Sequence, residues 1–233
     1  MIEVRKSEDR GLASLDWLHS QHTFSFADYS DPAQTGFGPL RVINEDQIQP
    51  GTGFGTHGHR DMEILSYILE GELEHKDDMG NGSIIRPGEI QRMSAGTGVM
   101  HSESNPSADT RNRFFQIWII PEVGGIEPGY EQNQIPEGAR DGKLCLIGSR
   151  DGRGDSVTIH QDAELYSSIL SPGDAVTYEL VEGRGVWVQL ASGAIEINGT
   201  KLAVGDGAAF VEENSLTITA SEKSEFLLFD LGG

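Results

Sequence analysis

Cysteine is all but missing from this sequence. A lone Cys145 excludes an internal disulfide, and its place in the apolar run KLCLIG predicts a buried, unreactive thiol. Basic residues are scarce too: 17 Lys and Arg stand against 37 Asp and Glu, a net charge of -20. A surface of that sign repels phosphate backbones and anionic lipid heads, which argues against direct nucleic-acid or membrane binding. Its plainest use is solubility. No apolar run approaches the length of a membrane-spanning helix. The opening MIEVRKSEDRG lacks the apolar stretch of a secretory signal. The expectation is a soluble, cytoplasmic protein.

Helical periodicity is weak as well. The best candidate is a short turn near Ala13 to His19, after a possible cap at Ser7 or Asp9. Strands and turns take its place. The 30 glycines and 9 prolines are spread along the chain, as suits short strands joined by tight turns. Strand-like segments run from Leu40 to Asn44, Glu63 to Leu69, Phe114 to Ile120, Leu144 to Ile147, Ser156 to Ile159, Gly185 to Leu190 and Phe226 to Leu231. GAIEINGTKLAVG reads as a hairpin. Ile195 and Ile197 flank Glu196, and Asn198-Gly199 favours a type I′ turn. The fold class is all-β.

A faint repeat divides the chain. Pro50-Gly51, LEGELEH and RPGEI are echoed in order by Pro172-Gly173, ASGAIEI and AVGDGAAF. This predicts two copies of one β-barrel, joined within the Gly/Pro-rich stretch from Gly125 to Gly142. We place the first domain at 1–135 and the second at 136–233.

The chemistry concentrates in two segments. In GTHGHRDME, His57 and His59 share a face if the segment is a strand. Alone, the pair reads as metal ligands or as ordinary core or surface histidines. In AGTGVMHSESN, His101 and Glu103 share a face in the same way. Two same-face pairs supply three imidazoles and a carboxylate, a set that suits Fe(II), Mn, Co, Ni, Cu(II) or Zn.

Longer motifs carry a resemblance. HTFSFADYSDP, FGTHGHRDMEILSYILEGELEHKDDMGN, MSAGTGVMHSESNP and the later YEQNQIP are similar to the pirin family of the cupin superfamily. More narrowly, they resemble bacterial pirins with quercetinase activity. The resemblance implies a bicupin, two jelly-roll β-barrels facing each other, with one divalent metal in the first. It implies His57, His59, His101 and Glu103 as ligands, with Fe(II) the first candidate. Relatives commonly have proline where this chain has Gly58. Glu63 matches a ligand of other cupins and is expected just behind the metal ligands.

The activity implied is ring opening of a flavonol such as quercetin by dioxygen, with Glu103 as both ligand and base. The rival reading is a non-catalytic regulator acting through protein partners. A monomer is expected. The second barrel is expected to lack a metal set, with Glu179, Val181 and Ile218 in place of His57, His59 and His101. Among other residues, His19 and His22 read as structural, His75 as part of a polar hairpin edge and His160 as solvated. Phe24 and Phe26 read as core, with lining of the pocket as the alternative.

Overall fold

The computed structural model describes residues 2–232. Strand β1 (Ile2–Arg5) precedes a single 3₁₀ turn at Ser7–Asp9. The first half continues through β2 (Gly11–Ser14), β3 (Leu18–His22), β4 (Leu40–Ile48), β5 (Gly53–His59) and β6 (Glu63–Glu70). It closes with β7 (Leu73–Asp77), β8 (Gly82–Ile85), β9 (Glu89–Ser94), β10 (Val99–Ser104), β11 (Arg113–Ile119) and β12 (Gly129–Gln134). The second half opens with β13 (Cys145–Ser149), β14 (Val157–Thr158), β15 (Ala163–Leu170), β16 (Ala175–Glu179) and β17 (Gly185–Ser192). It ends with β18 (Ala194–Ile197), β19 (Thr200–Ala203), β20 (Gly207–Phe210), β21 (Ser215–Ala220) and β22 (Ser224–Leu231).

Each half builds one large and one small sheet. The first pairs a seven-stranded sheet, β12-β9-β6-β11-β4-β3-β2, with a four-stranded one, β5-β10-β7-β8. The second repeats the plan as β1-β20-β17-β22-β15-β13-β14 and β16-β21-β18-β19. The two large sheets pack against each other. Leu65, Tyr67, Phe115 and Ile117 from the first meet Leu165, Trp187, Leu227 and Phe229 from the second in one buried core. Each such side chain stabilises the fold by about 1.5–3 kcal/mol relative to exposure.

One strand crosses the 135/136 division. β1 pairs with β20, Ile2 opposite Phe210, so the first strand lies in the second barrel's sheet. The chain passes from one half to the other again between Gln134 and Cys145. The expected helical turn at Ala13 to His19 is a hairpin instead, with Gly11 opposite His22. Leu12 and Leu15 are exposed while Leu18 is buried, so the i, i+3 spacing marks no common buried face. The Asn198-Gly199 turn has positive φ at both residues, 47° and 83°, as type I′ requires.

Alternation gives the first large sheet two unlike faces. One carries the inter-barrel core just described. The other lines the first barrel's interior, with Ile64 and Met93 towards one end and Ile48, Ile68 and Phe114 towards the other. Between them runs a polar row. His22, Asn44, Gln116, Ser66 and Gln91 stand side by side across β3, β4, β11, β6 and β9. All five are buried.

Candidate metal centre

The small sheet of the first barrel faces that row. β5 and β10 run antiparallel with His57 opposite His101 and His59 opposite Val99. A bulge between His101 and Glu103 then places Glu103 opposite Phe54. The three imidazoles converge, with ring centroids 4.4 to 4.8 Å apart. One ring nitrogen from each lies within 4.8 Å of the others. His57 Nδ1 lies 2.8 Å from the Gly55 carbonyl oxygen. That contact holds the ring proton at Nδ1 and leaves Nε2 bare. His57 Nε2 faces His101 Nε2 at 3.1 Å, and His59 Nε2 has no hydrogen-bond partner within the protein.

Two of these rings are held neutral. Burial, then the neighbouring His57, pushes His59 down to about 4. Burial, with His57 and His59 adding to it, pushes His101 down to about 3. Lone pairs crowded together in this way suit a cation better than protons.

Glu103 stands beside the cluster. It groups with His101 and His75 in a second set of ligand atoms within 4.8 Å. Gln116 Nε2 donates to both its oxygens, at 3.1 and 3.0 Å, and Ser66 Oγ donates to Oε1 at 3.4 Å. Burial, with Asp46 nearby, pushes its carboxyl up to about 8. His75 is not at a polar edge: it is fully buried and sits opposite Glu103 on β7. The alternation Leu73-x-His75-x-Asp77, with both Leu73 and His75 buried, carries that signal in the sequence.

A cavity of about 680 Å³ opens beside these groups. Phe26, Phe54 and Trp118 give it flat apolar walls, and His22, Asn44 and Asp46 a polar one. Trp118 packs edge-on against His59 at 4.9 Å and against Phe26 at 5.3 Å. Phe26 and His22 therefore line the site, while Phe24 packs on Trp187 in the inter-barrel core. Sequence reasoning misses Gln116, Asn44, Asp46 and Trp118. Gln116 alone carries a signal, as a polar residue in the apolar run of β11; Asn44 and Asp46 sit in a polar stretch and Trp118 among apolar neighbours.

Two expectations need correction. Glu63 does not stand behind the histidines. It lies on the opposite face of β6 from Ser66 and binds Ser94 Oγ at 2.9 Å and the His160 backbone N–H at 3.2 Å. His160 is solvent-exposed as expected, and its Nδ1 also lies 3.1 Å from Glu63 Oε2. The second-barrel alignment is out of phase. β16 and β21 do match β5 and β10 in sheet position, but Glu179 is exposed and Val181 lies beyond the strand, 64 % exposed. Ile218 stands opposite Val176 and Leu216 opposite Tyr178. A one-residue slip exchanges the faces of a strand.

Two facing jelly-roll barrels, one with a histidine-lined cavity, define a bicupin. Comparison with known proteins narrows the class. The Pirin family model matches residues 3–119, and that of the quercetinase C-terminal cupin domain matches residues 146–231. A quercetin 2,3-dioxygenase of Escherichia coli K12 is 50 % identical over 99 % of both chains. A pirin-like protein of Caulobacter vibrioides is 39 % identical, again over 99 % of each. The crystal structure of the Escherichia coli pirin YhhW in complex with nickel(II) superposes with a TM-score of 0.94 at 48 % identity, covering 100 % of this chain and 99 % of that one. The chain belongs to the pirin family. The relative's nickel complex and the histidine cluster together support a divalent metal. Among the described residues, no helix is long and apolar enough to cross a membrane.

Proposed function

We propose that this protein is a metal-dependent dioxygenase that opens the ring of flavonols such as quercetin, the quercetin 2,3-dioxygenase reaction. The observation that carries the reading is the meeting of three imidazoles and a buried carboxylate at a cavity sized for a small aromatic ligand. We assign His57, His59, His101 and Glu103 as ligands of one divalent ion. Fe(II) comes first, and the same donors suit Mn, Co, Ni, Cu and Zn. The orphaned His59 Nε2 and the facing nitrogens of His57 and His101 fit such an ion. Bound there, it would supply Lewis acidity that lowers the pKa of a flavonol's 3-hydroxyl.

The chain's own residues do the rest. Glu103 takes the hydroxyl proton, and Gln116 holds its carboxylate in place. Phe26, Phe54 and Trp118 flank the flat rings and keep water away. Trp118 also fixes the plane of His59. Ring opening consumes one dioxygen and releases one carbon monoxide per flavonol, both oxygen atoms entering the organic product.

Names of full-length relatives support the reading. The test is to load the protein in turn with Fe, Mn, Co, Ni and Cu and follow quercetin's absorbance. At least one metal is expected to support ring opening. If none does, the metal serves a regulator that acts through protein partners.

A further inference from the structure

The polar row inside the first barrel, together with Asp46 beside it on β4, has more hydrogen-bonding capacity than the protein uses. Asn44 Oδ1, Asp46 Oδ1 and His22 Nδ1 are each buried without a hydrogen-bond partner within the protein. Their residues are 3 %, 2 % and 4 % exposed, and all three line the cavity beside His57, His59 and Glu103. Register makes them neighbours. His22 stands opposite Asn44, Ser20 opposite Asp46, and Asn44 and Asp46 share one face of β4.

The chemistry of these atoms selects a ligand. An amide oxygen only accepts hydrogen bonds, and a neutral imidazole accepts at whichever nitrogen lacks the proton. Burial pushes the Asp46 carboxyl up to about 7, so it accepts at its bare oxygen in either protonation state and can also donate when protonated. A ligand that answers all three carries several donors. The aromatic walls next to them, Phe26 and Trp118, ask for a flat apolar frame. A ring system bearing hydroxyls satisfies both demands.

We propose that His22, Asn44 and Asp46 form a hydroxyl-recognition wall that selects polyhydroxylated flavonols, accepting hydrogen bonds from ring hydroxyls other than the 3-hydroxyl. The inference rests on the flavonol reading above. The acceptors sit on β3 and β4, inside a seven-stranded sheet, so they are in place before the ligand arrives. A flavonol without those hydroxyls leaves them buried and unpaired. Sites built to pair a hydroxyl reject the analogue that lacks it for this reason.

The test compares quercetin with 3-hydroxyflavone, which keeps only the 3-hydroxyl. Kd is measured for both by calorimetry, without oxygen, on the metal-loaded full chain. Wild type, Asn44→Leu and Asp46→Leu are compared, and their melting temperatures are recorded without ligand. Wild type is expected to prefer quercetin by about ten-fold or more. Each substitution is expected to shrink that preference several-fold. Asn44→Leu is not expected to melt below wild type, because it removes an unpaired buried acceptor, whereas Asp46→Leu also deletes a hydrogen bond with the buried Ser20 and is read for the change in preference.

A wild type without preference overturns the inference, as does a preference that both substitutions leave intact. Loss of preference together with a marked fall in melting temperature in both variants overturns it too, since the row would then be structural. Wild type that binds neither compound overturns the flavonol reading itself, a result visible before any substitution is made.

Discussion

Gln116 Nε2 donates a hydrogen bond to each oxygen of Glu103, at 3.1 and 3.0 Å. The bonds span the barrel interior, from β11 of the large sheet to β10 of the small one. They favour the ionised carboxylate and work against its burial.

Replacing Gln116 removes that support. In Gln116→Leu, Glu103 holds its proton more tightly, and a metal must displace it. Affinity for Ni(II) near neutral pH is expected to fall about 10-fold or more, the usual effect of losing a group that orients a ligand. Competition with a chromophoric chelator measures it. Unchanged affinity would mean that Glu103 does not bind the metal.

Proton release gives an independent view of the same ligand. Without metal, Glu103 is pushed up to about 8 by burial, so its carboxyl is mostly protonated near neutral pH. His59 and His101, pushed down to about 4 and 3, are already neutral there. Metal ligands must be deprotonated to bind. Binding at about pH 7 should therefore release about one proton, and the release should fade above about pH 9. Titration calorimetry in buffers of different ionisation enthalpy counts the proton. Binding at neutral pH without proton release would contradict the assignment.

On the proposed ligand set, His57→Ala and His101→Ala each delete a direct bond to the ion, and most bound metal should go with it. Elemental analysis that finds full occupancy in both variants would sink the ligand set.

Glu103→Gln separates holding a metal from using it. Three histidines should still bind, more weakly, while turnover of quercetin at matched occupancy falls by about 10²–10⁴-fold. The metal-free variant offers a second readout. The folded state raises the Glu103 pKa from 4.5 to about 8. Wild type thus loses stability as pH climbs through that window, because the folded chain holds the proton more tightly than the unfolded one. Gln carries no such term, so the metal-free variant should melt higher than wild type above about pH 8. Wild-type turnover in Glu103→Gln would remove Glu103 from the base role.

The histidine pairs are legible in the sequence because a two-residue spacing on a strand forces a shared face. His57 with His59, and His101 with Glu103, need only that local rule. The fold class follows from the same periodicity and from turn residues such as Asn198-Gly199. What stays hidden depends on which strands become neighbours. Gln116 reaches Glu103 only because β11 crosses the barrel from β10. His160 answers Glu63 from 97 residues away, and β1 joins β20 across the whole chain. Composition and local spacing say nothing of such pairings, so the contact between His160 and Glu63 goes unread and β1 reads as part of the first domain. The second barrel's alignment fails on phase, since turns locate a strand but not which of its faces points inward.

We propose that this site, with its metal, inserts dioxygen into a flavonol. The direct measurement is oxygen uptake and carbon monoxide release by metal-loaded protein given quercetin, beside the same protein stripped by chelator. One carbon monoxide should appear for each dioxygen consumed, and the stripped protein should do neither until metal is restored. Oxygen uptake without carbon monoxide, or equal activity in the stripped protein, would rule out metal-dependent flavonol ring opening.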